Sequence, residues 1–264
     1  MAGGTGLCHS SPQPQEAEPM ATTGRNALPP IETPAWRPAL TMRWRHLLFV
    51  HWRVNPAVLR PLIPHALEID TYDGSAWVGW VPFVMESVRP TWLPPVPRLF
   101  DFGETNVRTY VRYGTQRGVW FFSLDAAHRL AVWVARQRWR LPYYYARIRW
   151  NQPAPQEIHY ECHRTPEVYG RVRYRIEGEP AIPPEGSLEH FLVERYTLFT
   201  VHRGQLYTGH VAHIPYRIQP AHLLELEQTM VSAAGIALPD TEPIVFYAPG
   251  FGVLASAIQQ RPQA

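Results

Sequence analysis

The chain contains no lysine, so all 25 of its basic residues are arginines. That absence excludes catalysis through a side-chain Schiff base, which needs a primary amine. Cysteine is nearly as scarce, with Cys8 near the start and Cys162 in the body. Two cysteines make no disulfide framework and require no oxidising compartment. No uninterrupted apolar run approaches the roughly 18 residues needed to span a bilayer. The first residues also lack the charged and apolar regions of a secretory leader. The net charge of +3 is too small to point to nucleic acid or an anionic membrane as partner. The expectation is therefore a cytoplasmic protein whose partner is a small-molecule ligand or substrate, with homo-oligomerisation left open.

What the chain does have is aromatic surface: ten Trp, thirteen Tyr and ten Phe within 45% hydrophobic residues. That is enough for a sizeable core and for amphipathic walls around a pocket. Residues 1–35 are rich in Pro, Gly, Ser, Thr and Gln without periodicity and read as a disordered tail, in which Met20 is a second candidate start. Residues 36–264 show no repeat and no change of composition, and read as a single domain.

Arg43 to Val54 reads as a buried strand carrying His51. Asn55-Pro56 starts a short helix. Ala66 to Tyr72 and Ser75 to Val88 read as a hairpin closed at Asp73-Gly74. Pro90 to Pro97 is an extended loop, placed to rim a pocket. After Trp150, strands are expected over 156–164, 170–177, 195–203 and 205–214, with a short helix opened by Ser187. A longer helix is expected over 221–234, then a strand pair broken at Pro249-Gly250. This pattern predicts an α+β chain of mostly antiparallel strands, a barrel-like sheet or a sandwich with helices packed outside.

The stretch Phe102 to Ile148 organises the rest. It reads as two strands around a Gly-bounded turn, a helix over 126–139 capped by Asp125, and a third strand opening at Leu141-Pro142. Leu130, Trp133 and Val134 would be the helix's buried stripe. Arg136, Arg138 and Arg140 suit its C-terminal dipole and need no ligand. On the first strand, alternation puts Glu104, Asn106, Arg108 and Tyr110 on one face. An acid, an amide, a guanidinium and a phenol in one file form either the wall of a polar pocket or a half-solvated strand face with cross-strand ion pairs. Arg171, Arg173 and Arg175 read as a solvated outer face. His159, Glu161 and His163 share another strand face, which by itself is a weak metal signal, and no metal, nucleotide or flavin is called for.

Residues 59–70, L-R-P-L-I-P-H-A-L-E-I-D, resemble a segment of acetoacetate decarboxylases. The Phe102–Ile148 stretch is similar to their catalytic segment. More closely, the body from Trp44 to about Gly252 resembles an uncharacterised bacterial family, the YqjF-like domain of unknown function. The marks are F-V-H-W, L-E-I-D-T-Y-D-G-S-A-W-V-G, E-T-N-V-R-T-Y-V, V-W-F-F-S-L-D-A, L-P-Y-Y-Y-A and E-R-Y. The resemblance implies an acetoacetate-decarboxylase-like β-barrel or cone with a central cavity and helices outside. It sets Glu104 where those enzymes carry an active-site glutamate. Tyr143 stands where they carry the Schiff-base lysine, and Tyr144 where they carry a second lysine. Two phenols cannot replace those amines, so the resemblance supports the fold and the pocket and withdraws the decarboxylase reaction.

Two functional readings remain open. In the first, a lysine-free enzyme acts on a small organic acid or ketone. Glu104 is its acid or base, with a pKa raised by burial and lowered by Arg108; Arg108 holds a carboxylate, and Tyr143 donates to an oxygen. Asn106, Tyr110, Tyr144, His213 and His51 would line the wall. In the second, the same cavity binds a small molecule without turnover. A closed Glu104–Arg108 ion pair would favour binding or a purely structural role. A scaffold using the proline-rich tail is a third, weaker reading.

Overall fold

The computed structural model describes residue 1 and residues 34–94 and 100–261. Apart from residues 1, 34 and 35, the expected tail lies outside the described residues, as do 95–97 of the proline-rich loop and the two residues after it. The strands in chain order are β1 (Pro38–Val54), β2 (Glu68–Ile69), β3 (Ala76–Pro90), β4 (Phe102–Tyr113), β5 (Gln116–Ala126), β6 (Tyr143–Tyr145) and β7 (Arg147–Ala154). They continue as β8 (Glu157–His163), β9 (Tyr169–Ile176), β10 (Thr197–His202), β11 (Gln205–Ala212), β12 (Gln219–Gln228), β13 (Ile244–Ser256) and β14 (Gln259–Gln260). Among the described residues four short α-helices interrupt them: α1 (Pro56–Leu59), α2 (Arg129–Arg138), α3 (Leu188–Val193) and α4 (Met230–Ala233). None is long and apolar enough to cross a membrane.

The strands are mostly antiparallel and hydrogen-bond in the order β11-β10-β5-β4-β3-β1-β13, and β11 pairs with β13 again, so that path returns on itself. Beyond β13 the sheet continues through β12, β9, β8 and β7. This arrangement makes two cores. Leu48, Val50, Val107 and Val111 meet Tyr160, Val172 and Tyr174 between the ring and the β7–β9 layer. Phe49, Phe83, Tyr110, Leu124, Phe246 and Phe251 line the inner side of the ring together with α3. Both cores follow from period-two alternation on strands that are buried on each face.

Several local expectations are corrected. The helix expected over 221–234 is the strand β12 followed by the four-residue α4. Its Leu, Glu and Gln content favours helix, but β9 and β13 pair with it, and Arg171 and Arg173 reach Glu225 at 3.6 Å each across the ladder. Asp125 does not cap α2. It lies buried in β5, held by Arg164 through Nε–Oδ1 at 2.6 Å and Nη2–Oδ2 at 2.7 Å, and the cap is His128, whose Nδ1 accepts from Ala131 N–H. Val132 is the buried residue of α2; Leu130 and Trp133 are exposed. The strand expected over 66–72 shrinks to β2, which pairs with β4 rather than β3. Asp73 and Gly74 do turn, with φ of 48° and 73°, but they close a single Tyr72–Ser75 bridge. β13 runs unbroken past Pro249-Gly250.

Candidate functional site

Glu104, Asn106, Arg108 and Tyr110 project from β4 to the inner side of the ring, and all four are buried, none more than 8% exposed. The half-solvated face is therefore excluded. At one end of the file, the Tyr143 hydroxyl donates to the Glu104 carboxyl, 3.1 Å from each oxygen. Tyr143 arrives there because β6 pairs in parallel with β5, setting Tyr143 beside Leu124. Burial pushes the Glu104 carboxyl up to about 8; the Tyr143 hydrogen bond opposes the rise and the Asp125 charge adds to it. Arg108 takes no part in lowering it, contrary to the expectation above. The two residues are four apart on one strand, about 13 Å between Cα atoms at roughly 3.3 Å per residue. The alternative of a closed Glu104–Arg108 ion pair does not form.

Arg108 belongs to a second cluster. Its Nη2 donates to the Leu192 carbonyl at a long 3.4 Å, and its Nε is buried without a partner. Its guanidinium carbon lies 5.4 Å from the Phe49 ring centre and 5.8 Å from that of Tyr110. Among the described residues no carboxylate forms an ion pair with it. Next to it, His51 Nε2 is 2.6 Å from the Tyr110 hydroxyl, which donates to the Leu192 carbonyl at 2.7 Å. Burial first, then the Arg108 charge, holds His51 well below the ordinary imidazole pKa. The ring lies over Gly79 of β3, where a Cβ would stand 2.6 Å from its Nε2. Only a glycine there leaves the imidazole its place.

The Leu192 carbonyl is one of the end groups of α3 that no helical bond satisfies. Its position depends on residues that the sequence reading quoted as motifs but gave no role. Arg195 donates from Nη1 to Asp70 Oδ2 at 2.7 Å and from Nε to the Phe191 carbonyl at 2.8 Å. Glu194 accepts from Tyr216 N–H at 2.7 Å and from the Tyr196 hydroxyl. The E-R-Y and L-E-I-D segments thus pin α3 to the ring, and the polar file faces the end of that helix.

The remaining candidates divide. His213 is buried, and its ring packs 4.6 Å from Phe251 and 4.9 Å from Tyr216. Tyr216, which the sequence reading missed, packs in turn 5.4 Å from Phe49, tying His213 to the Arg108 cluster. His213 Nδ1 donates to the Ile214 carbonyl at 2.7 Å, and burial pushes its pKa down to about 4. Asn106 lies between the two ends of the file, with its Oδ1 buried and unpartnered. Tyr144 is a correction: strand alternation turns it outward, 41% exposed, beneath the Arg164 guanidinium at 4.0 Å. The residues of the weak metal file have protein partners instead. His159 meets Glu157 at 2.7 Å, Glu161 meets Arg171 at 3.3 Å, and His163 stacks on Tyr169. Two surface clefts lie elsewhere, one of about 440 Å³ around Asp70, Arg112 and Arg117, the other of about 220 Å³ between Arg147, Arg149, Glu161 and His163. In the first, Arg112 meets Glu68 and Arg117 meets Asp70; in the second, Glu161 lies across the ladder from Arg149. The buried charge without a carboxylate and the raised carboxyl both point to the ring interior instead.

Residues 41–252 match the model of the DUF2071 family, described as an uncharacterized conserved protein. The chain belongs to that family. It is 40% identical over 202 residues to the uncharacterized protein YqjF of Bacillus subtilis (strain 168), covering 76% of this chain and 83% of that one. In fold it is similar to the enduracididine biosynthesis enzyme MppR complexed with pyruvate, at TM-score 0.60 and 12% identity over 87% of this chain and 93% of that one. It is also similar to the acetoacetate decarboxylase of Legionella pneumophila, at TM-score 0.59 and 13% identity over 88% and 92%. At these identities the likeness concerns the fold alone.

Proposed function

We propose that the inner side of the ring is a barrel- or cone-like pocket for a small organic acid. Its carboxylate is taken by Arg108, and Glu104 with Tyr143 handles a proton farther along the same wall. The observation that carries this reading is Arg108. A buried charge without a counter-charge is strongly destabilising, and around Arg108 only the long Leu192 carbonyl contact and the Phe49 and Tyr110 rings offset it, with no carboxylate among the described residues. A ligand carboxylate would supply the counter-charge, through charge-assisted hydrogen bonds. The fold likeness agrees, since MppR with that fold holds pyruvate, a small carboxylate. Glu104 supports turnover, because a carboxyl with a pKa near 8 both gives and takes a proton near neutral pH. With no lysine in the chain, the chemistry is enolisation, hydration or aldol-type addition without a Schiff base. Tyr143 engaging both Glu104 oxygens favours a second reading, a pocket that holds the acid without turning it over.

The test is a thermal melt with pyruvate and longer keto and hydroxy acids on wild type and on Arg108→Met. A ligand at ~100 times its Kd adds about 2.7 kcal/mol. The reading expects wild type to gain several degrees with at least one carboxylate and Arg108→Met to gain none, while the ligand-free variant melts at or above wild type. A variant that melts far lower, with no acid shifting wild type, would show Arg108 to be structural.

A further inference from the structure

Two buried histidines of the ring interior each present a bare acceptor nitrogen, and the hydrogen bonds around them fix which nitrogen it is. The Tyr110 hydroxyl has one proton, and it goes to the Leu192 carbonyl, which has none to give back. The 2.6 Å contact from His51 Nε2 to the same hydroxyl must then run the other way, with Nε2–H donating to the Tyr110 oxygen. A neutral His51 carries its proton on Nε2, which leaves Nδ1 as a lone pair, fully buried and without a partner. The Nε2–Cδ2 edge lies against Gly79, so the Nδ1 edge faces away from β3. His213 repeats the logic: Nδ1–H donates to the Ile214 carbonyl, and Nε2 is the buried, unpartnered acceptor. Neither ring carries a second proton, because burial disfavours the charged form of both and the Arg108 charge adds to this at His51. Unmet acceptors of this kind are costly inside a protein and call for a donor.

Resting on the carboxylate reading above, we infer that the interior is built for a hydroxy acid. Arg108 takes the carboxylate and His51 Nδ1 accepts a hydroxyl proton of the same ligand. A keto acid offers oxygen acceptors to both positions and leaves the imidazole lone pair unmet. A hydroxy acid satisfies the guanidinium and the imidazole together. Tyr110 is then a positioning residue, acting through His51 by holding its tautomer, while Phe49 and Tyr216 supply the apolar walls.

The experiment compares four-carbon acids that share one carboxylate: 2-hydroxybutyrate, 3-hydroxybutyrate, 2-oxobutyrate and butyrate, titrated calorimetrically into the full chain. One hydroxy isomer should bind about tenfold or more tighter than both 2-oxobutyrate and butyrate. His51→Ala should erase that preference, so that hydroxy acid and butyrate bind alike. If His51→Ala does not fold, Tyr110→Phe serves: it frees the imidazole tautomer and should shrink the preference by the same route. The ring ¹⁵N signature of His51 supplies a readout that packing alone would not move. Nδ1 should be pyridine-like in the free protein and shift on binding the hydroxy acid but not butyrate. Equal binding of all four acids, or a pyrrole-like Nδ1, overturns the hydroxyl inference and leaves the carboxylate pocket standing. No binding of any acid overturns both.

Discussion

Replacing Glu104 by Gln should remove one loss of stability that this protein suffers as pH rises. A carboxyl whose folded pKa lies above its unfolded value binds more protons folded than unfolded between the two. Glu104's contribution is therefore fully present below about 4.5 and is lost as pH rises to about 8. At 1.36 kcal/mol per pH unit, that interval corresponds to about 5 kcal/mol at most. For a chain of this length, about 2 °C of Tm per kcal/mol gives a swing of up to about 10 °C. The glutamine keeps an oxygen for the Tyr143 hydroxyl, but its buried amide N–H groups need new acceptors, a cost that does not vary with pH. The informative quantity is accordingly the Tm of Glu104→Gln minus that of wild type, measured from pH 4 to pH 9. Subtraction removes the titrating groups that do not interact with Glu104, while Asp125, whose charge adds to the Glu104 rise, stays coupled to the difference. The difference should climb steeply between about pH 4.5 and 8, in the variant's favour. A flat difference would mean that Glu104 is solvated or ion-paired, and its assignment as a proton-transfer group would fall.

Other substitutions probe the supports of the same wall. Tyr143→Phe removes the hydrogen bond that opposes the rise in the Glu104 pKa, so the alkaline limit of wild-type stability loss should move up in pH in a denaturation series. Arg164→Ala strands the buried Asp125 carboxylate and should lose about 3–5 kcal/mol in urea unfolding, with Asp125→Asn added to it recovering much of the loss. Gly79→Ala drives a methyl into His51 and should cost about 1–3 kcal/mol; paired with His51→Ala, which empties that space, it should cost less than the sum of the two. Arg195→Ala leaves Asp70 to the exposed Arg117 at 3.5 Å and unpins α3. Hydrogen exchange should then quicken at 188–193 and carboxylate binding should weaken together.

Much of the architecture was legible because strands write a period of two into the chain. The polar file of β4, the alternation of β8 and β9 and the outward Arg171, Arg173 and Arg175 follow from it directly. Helical propensity misled where tertiary pairing outweighed it: 221–228 has the composition of a helix, yet β9 holds it as a strand. The absence of lysine by itself excludes Schiff-base chemistry at the site. Only the fold decided that Glu104 answers to Tyr143 rather than to Arg108, since four residues of extended chain keep the two apart and a parallel β6 brings the phenol in. Only the fold, too, set Asp70 against Arg195, 125 positions away, and thereby aimed the end of α3 at Arg108 and Tyr110. Side-chain types and their faces are local properties that a sequence carries. Which buried charge finds a counter-charge depends on contacts between distant segments, and among the described residues Arg108 meets the Leu192 carbonyl and no carboxylate.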